Sequence, residues 1–362
     1  MNDRVPDVPA VILGGSGYVA GELLRLLAGH PCLKPVVVVS ESQAGEAVEG
    51  SFPHLAGCWP GLVFQKKEGL GELFGKMGGG PAAVFCAAPH GAAAALLDGV
   101  LTSAESAGVA ARAVDLSADF RFADAAAYEK VYGHAHGAPG RLASFVSGLP
   151  EHVDGTPAPH VGHPGCFTTS VLMATVPLLK LGWIEPRVTV VATTGSTGAG
   201  RTPTAATHHP ARRSNLYAYN PLRHRHEPEM RALAAAASGT EPGFEPDIHF
   251  VPMAGPFARG IYATVQARLV QDLDAEAVRA GLAVFYAGSP FVDILAEPPR
   301  LQDVVGTNRC RLGVAVDGDH LVVFSAIDNL VKGAAGGGIQ WMNRLLGFPE
   351  ETGLRVPGLG WM

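Results

Sequence analysis

Three stretches of this 362-residue chain carry residue types that do chemistry. The first is built around a thiol. Val161-Gly162-His163-Pro164-Gly165-Cys166-Phe167-Thr168-Thr169 leads into Ser170-Val171-Leu172-Met173-Ala174-Thr175-Val176, so Gly and Pro punctuate the chain just before a helical run. Thr168 or Thr169 is placed to cap that helix, which puts Cys166 at its amino end, where unpaired amides and the helix dipole stabilise a thiolate. A thiolate attacks carbonyls and holds the product as a thioester. A cysteine buried in a turn is the competing reading. The second stretch is Thr193-Thr194-Gly195-Ser196-Thr197-Gly198-Ala199-Gly200-Arg201, whose hydroxyls, backbone amides and guanidinium suit an oxyanion or phosphate unless it is only a flexible turn. The third is basic and rich in histidine: Arg212-Arg213-Ser214-Asn215, then Arg223-His224-Arg225-His226-Glu227-Pro228-Glu229. A histidine there can move protons with a carboxylate to orient it, and the positive charge suits an anionic substrate better than a solvated face. His224 and His226 also have the makings of metal ligands with His208 and His209, but acyl transfer to a thiol needs no metal.

These groups need a frame. Val11, Ile12 and Leu13 form an apolar strand that ends at Gly14-Gly15-Ser16-Gly17-Tyr18-Val19-Ala20-Gly21, and Glu22 to Leu27 has helical spacing. Strand, glycine turn and helix in that order bring backbone and helix amides close to a dinucleotide diphosphate, and Gly15, Gly17 and Ala20 satisfy the G-x-G-x-x-A spacing. A second strand, Val36 to Val39, ends in Ser40-Glu41-Ser42. Ser40 and Ser42 tolerate a 2'-phosphate, and alternation along a strand can turn Glu41 away, so NADP is expected over NAD. Ala83 to Ala88 stops at Pro89-His90-Gly91, and Ala113 to Ser117 stops at Ala118-Asp119-Phe120-Arg121. With alanine-rich helices such as Ala92 to Leu97 between them, these strands predict a parallel, helix-covered α/β sheet with its ligand crevice at the strand ends. Cys86, inside an apolar strand, reads as a core thiol.

The length favours two domains, and 47% hydrophobic residues with 46 Gly and 28 Pro fit a packed globule with many turns. A net charge of -6 gives no support to a nucleic-acid binder. The five scattered cysteines form no C-x-x-C pair and fit a reducing compartment. From Met1 through Asp7 the chain shows neither the basic nor the long apolar region of a signal peptide, and no later run is long enough to span a bilayer, so a cytoplasmic protein is expected.

From about Ala10 to Gln340 the chain resembles the N-acetyl-gamma-glutamyl-phosphate reductase family, relatives of aspartate-semialdehyde dehydrogenase. The marks are Gly14-Gly15-Ser16-Gly17-Tyr18, Asp115-Leu116-Ser117-Ala118-Asp119-Phe120-Arg121, Gly148-Leu149-Pro150-Glu151, His163-Pro164-Gly165-Cys166 and Gly195 to Arg201. They continue in order through His224 to Glu229, Arg259-Gly260-Ile261-Tyr262-Ala263-Thr264 and Asp328-Asn329-Leu330-Val331-Lys332-Gly333-Ala334. The resemblance implies a Rossmann-type nucleotide domain (1–163), an inserted α/β catalytic and oligomerisation domain of the semialdehyde dehydrogenase type (164–327) and a C-terminal helix returning to the first (328–362). It implies Cys166 as nucleophile and His224 as acid–base group, with Ser196, Arg201 and Arg121 on the substrate and His226 and Glu229 supporting substrate or that histidine. Gly14, Gly15, Ser16, Gly17, Tyr18, Val19, Ser40, Ser42, Pro89, His90, Gly198 and Asn329 are expected on NADP, with Asn329 near the nicotinamide. An acyl phosphate would then acylate Cys166 and lose phosphate beside Arg201 or neighbouring cations. Hydride from NADPH would reduce the thioester, with donors from Gly165 to Phe167 on the oxyanion and His224 protonating it. A homodimer or homotetramer acting on a small molecule is implied. The lysine-pathway relative, whose aminoadipyl phosphate rides on an acidic carrier protein, has the same chemistry, and His208 to Ser214 resembles both that branch and related short arginine enzymes. A silent NADP-binding scaffold would keep Gly14 to Gly21 but would not need Cys166 and His224 together.

Overall fold

Apolar runs bounded by glycines become the buried strands of a parallel sheet. In the computed structural model, which describes residues 7–239 and 243–360, these are β1 (Val8–Leu13), β2 (Leu33–Val39), β3 (Phe64–Gln65), β4 (Pro81–Cys86), β5 (Ala110–Asp115), β6 (Phe145–Ser147) and β7 (His160–Gly162). The residues before Asp7, on which the expected lack of a leader largely rests, lie outside the described chain, as do the last two of the expected C-terminal segment. The order is β3-β2-β1-β4-β5-β7-β6 with every ladder parallel. Ala10 to Leu13 and Ala82 to Cys86 are wholly buried, as a sheet covered on both faces requires. Chain order reverses direction between β1 and β4, so the turns after Leu13 and Cys86 flank a topological switch point.

The Asp115 to Arg121 motif is a knot that shapes one end of this sheet. Burial lifts the Asp115 carboxyl to about 6, and it accepts the Ser117 amide and hydroxyl. Asp119 accepts the amides of Gly91 (2.8 Å) and Ala94 (2.9 Å) and so caps the helix Ala93–Ser106, whose own N-cap is an alanine. Arg121 is buried, and its Nε donates to the His163 carbonyl at 3.0 Å.

Packing divides the chain into two units. Residues up to Ser147, Gly155–His163 and Gly338–Leu354 form one; Gly148–Asp154, Pro164–Gly337 and the chain from Arg355 form the other. The expected boundary at 328 therefore moves. Asp328 pairs with Arg259 (3.0 Å) and Asn329 Oδ1 accepts the Gly260 amide (2.7 Å), which hold this stretch in the second unit until Gly338.

The second unit holds a mixed sheet of β8 (Ile184–Thr194), β9 (Tyr217–Ala218), β10 (Asp247–Ala254), β11 (Ile261–Leu269), β12 (Val292–Leu295), β13 (Cys310–Asp317) and β14 (His320–Ile327). Its order is β12-β13-β14-β11-β8-β10-β9. Against it packs the helix Cys166–Lys180, buried from Phe167 to Leu179 and apolar almost all round, which suits a helix inside a core. Pro177 interrupts its ladder by lacking an N–H for the Met173 carbonyl. The Tyr286 hydroxyl donates to that carbonyl instead, at 2.7 Å, and is itself 2.9 Å from His152 Nε2. Among the described residues no helix is long and apolar enough to cross a membrane.

Candidate active site

Cys166 is the first residue of its helix, and the cap is Gly165, not Thr168 or Thr169, which lie inside the helix with buried hydroxyls. Glycine has no side chain to satisfy the helix-opening amides. Glu229, fully buried on the helix His226–Ser238, does so from elsewhere: its Oε1 accepts the Gly165 amide at 2.6 Å. That corrects two expectations. Glu229 holds the nucleophile's backbone instead of lining a substrate pocket, and the Gly165 amide is committed to it, not open to an oxyanion. From the opposite side comes a π-turn, Val331–Ala335, a rare form that concentrates at functional sites. A Cβ on Gly333 in that turn would stand 2.7 Å from Cys166 Cβ, so only glycine fits. The neighbouring Lys332 is buried, with its ammonium 2.5 Å from Glu151 Oε1.

Cys166 and His224 open onto one cavity of about 500 Å³ within the second unit, together with Ser196, Gly198, Tyr219 and His226. Among the described residues three arginines line it, Arg212, Arg223 and Arg225, and no carboxylate does. The His224 ring stands among Phe167, Tyr219 and Phe250, at centroid distances of 5.6, 5.7 and 5.5 Å. Burial, aided by the Arg225 charge, lowers its pKa to about 4. Its Nδ1 lies 3.2 Å from the His226 amide and accepts that proton, which leaves the ring's own proton on Nε2. The imidazole is therefore a neutral N–H donor near pH 7, where sequence and resemblance anticipated a proton shuttle. The Cε1 proton resonance of His224 is expected to titrate near pH 4, and a midpoint at 6.5 or above would contradict the geometry. Unfolding returns the group to its ordinary value of 6.5, so stability from this site is complete above about 6.5 and is lost as pH falls through about 4.

The Gly195 to Arg201 loop is not the anion nest its composition suggests. Ser196 and Thr197 spend their amides on the carbonyls of Phe257 (2.9 Å) and Ala258 (3.0 Å). Arg201 is exposed and does not line the cavity, whereas Arg212 and Arg223 do. Asn329 fastens the loop by donating to Thr197 Oγ1 at 3.1 Å. Arg121 belongs to the other unit and does not line this cavity. Sequence reasoning did not single out Tyr219 or give Arg212 a place of its own. Their signal was position alone, a few residues ahead of His224 in a basic run.

In the first unit Gly14 has φ +73, and a Cβ there would lie 2.5 Å from the Ala88 amide nitrogen; one on Gly15 would meet Val38 at 2.3 Å. Gly17, by contrast, is open on its Cβ side and caps the helix Tyr18–Leu27 with no side-chain bond, so the first-turn amides are left for a ligand. Ser16, Tyr18 and Val19 sit at this turn and are at least partly exposed. Ser40 and Ser42 have hydroxyls 3.5 Å apart, and Glu41 turns its carboxylate to the Lys67 amide at 3.3 Å. Pro89 and His90 are exposed just beyond β4. These residues fit a dinucleotide whose phosphates meet backbone amides. Among the described residues no three His, Cys, Asp or Glu side chains converge as a metal site, and none of the five cysteines is in a disulfide.

Comparison with known proteins matches residues 9–152 to the semialdehyde dehydrogenase NAD-binding domain and residues 166–329 to the semialdehyde dehydrogenase dimerisation domain. N-acetyl-gamma-glutamyl-phosphate reductase of Methanopyrus kandleri is 38% identical over 353 residues, covering 96% of this chain and 98% of that one. The enzyme of the same name from Pseudomonas fluorescens is 38% identical over 356 residues, covering 96% and 98%. The solved aspartate semialdehyde dehydrogenase II of Vibrio cholerae shares the fold, with a TM-score of 0.66 at 17% identity over 94% of this chain and 99% of that one.

Proposed function

The chain belongs to the N-acetyl-gamma-glutamyl-phosphate reductase family of semialdehyde dehydrogenases, and on that footing we propose that it reduces N-acetyl-gamma-glutamyl phosphate to N-acetylglutamate semialdehyde and phosphate in arginine biosynthesis. The carrying observation is a helix-start thiol that shares one cavity with a neutral imidazole and a lining of three arginines without a carboxylate. Such a lining suits a substrate that is anionic at both ends.

Cys166, favoured as thiolate by the helix start, attacks the acyl carbon. A C–S bond forms, the C–O bond to phosphate breaks, and the phosphate departs beside the exposed Arg223. NADP is the cofactor, and its reduced form, NADPH, would supply the hydride when bound. Gly14, Gly15, Ser16, Gly17, Tyr18 and Val19 would hold its diphosphate, Ser40 and Ser42 its 2'-phosphate, and Pro89 and His90 would stand beside it in the same unit. His224 donates its Nε2 proton as a hydrogen bond to the oxygen that gains charge in both tetrahedral stages, and His226 fixes the donating tautomer. In the second stage the oxyanion collapses and expels the Cys166 thiolate, which requires no proton on that oxygen. Glu229 acts on Gly165 throughout, keeping the thiol at the helix start.

The catalytic unit carries the contacts of a homodimer or homotetramer in this reading, and the setting is cytoplasmic. The test is phosphate-dependent reduction of NADP by the purified protein, comparing N-acetylglutamate semialdehyde, its aminoadipate analogue and aspartate semialdehyde. The first should be preferred by an order of magnitude or more. Preference for the aminoadipate compound would transfer the enzyme to the carrier-linked branch, and inactivity toward all three would leave a nucleotide-binding scaffold.

A further inference from the structure

Arg212 is the cavity arginine with a buried donor left unmet. Its Nη2 donates to the Thr194 carbonyl at the end of β8, at 2.8 Å. Its Nε is buried and has no hydrogen-bond partner among the described residues. A guanidinium anchored on one side with an unsatisfied Nε has hydrogen-bonding capacity left on its side-on edge, Nε together with the second Nη2 hydrogen, and two parallel N–H groups match a planar carboxylate. Leaving a buried donor unmet costs stability, and a carboxylate bound in the cavity would relieve that cost.

The backbone beyond Arg212 is built with the same care. Ser214, Asn220 and Leu222 have φ of 58, 46 and 58, and they are the positive-φ non-glycine residues of the described chain. All three fall between Arg212 and His224, which both line the cavity. Strain confined to the connection between two site residues shows that the fold holds them at a set spacing. Tyr219, within that connection, is under the influence of both the Cys166 thiol and the Arg212 cation.

We propose that Arg212 is the specificity-determining residue that holds the α-carboxylate of the substrate while Cys166 works on the distal acyl carbon. The assignment rests on the function proposed above. Two anionic groups must be received, and they differ in what they do. Phosphate leaves after acylation and is served by a solvent-exposed cation such as Arg223. The carboxylate stays with the substrate through both half-reactions and needs a receptor that does not move, which the Thr194 carbonyl makes of Arg212.

The test is steady-state kinetics in the phosphate-dependent direction on the intact enzyme, with N-acetylglutamate semialdehyde and with 4-acetamidobutanal, the same molecule without its carboxylate. Wild-type enzyme should discriminate against 4-acetamidobutanal by about 10- to 100-fold in kcat/KM, the size of a hydrogen-bonded charge contact. Arg212→Gln should raise KM for the natural aldehyde by a similar factor, leave kcat and KM for phosphate within a few-fold, and erase the discrimination. Equal wild-type use of the two aldehydes overturns the proposal without reference to any variant. So does a rise in KM for phosphate, or an unchanged KM for the aldehyde, in Arg212→Gln. If wild-type enzyme has no phosphate-dependent activity on N-acetylglutamate semialdehyde, the functional reading fails instead.

Discussion

Cys166→Ser is expected to lower phosphate-dependent NADP reduction by on the order of 10⁴-fold or more, because every later step begins from the bond that this sulfur makes. A hydroxyl has a far higher pKa than a thiol, so the helix start that favours a thiolate cannot produce an alkoxide near pH 7. The replacement is nearly isosteric at a partly buried position, so the variant should melt within a few degrees of wild type and bind NADP unchanged. Mass spectrometry should find an acyl adduct on wild-type protein mixed with acyl phosphate in the absence of NADPH, and none on the variant. Turnover retained in Cys166→Ser, or an adduct on Cys58, the exposed thiol, would remove the proposed mechanism.

His224→Ala should reduce kcat by about 10²- to 10³-fold, the loss that follows removal of one donor from an oxyanion. The informative comparison is His224→Gln. A neutral donor can be replaced in part by a neutral carboxamide, so Gln should recover about tenfold over Ala. A proton-shuttling imidazole could not be replaced in this way, since an amide does not titrate near neutrality. Activity equal in the two variants, together with rescue of phosphate-dependent NADP reduction in His224→Ala by added imidazole in proportion to its unprotonated form, would restore the shuttle and show that the His226 amide does not hold Nδ1 during turnover.

The parts of this protein that were legible in its sequence are those whose cause is local. Gly14 and Gly15 had to be glycine because strands and turns pass within 2.5 Å of where a side chain would begin, and a strand followed by such a turn has few other uses. Cys166 was legible as a helix-opening residue because Gly165 and Pro164 stop the preceding strand. What escaped was decided by residues far apart. That the Gly165 amide is taken by Glu229, and that the loop amides of Ser196 and Thr197 are taken by Phe257 and Ala258, depends on how the second sheet closes. The arginines illustrate the limit. Arg201 follows the glycine loop and looks like its partner by spacing, yet it is exposed, whereas Arg212 is fixed by a carbonyl that no local pattern connects to it.

The close approach of Gly333 to Cys166 orders events in time as well as in space. Synthesis delivers the sulfur near the middle of the chain and the turn that seats it only near the end. A ribosome-bound fragment ending before Val331 would carry the cysteine without the backbone that closes one side of it.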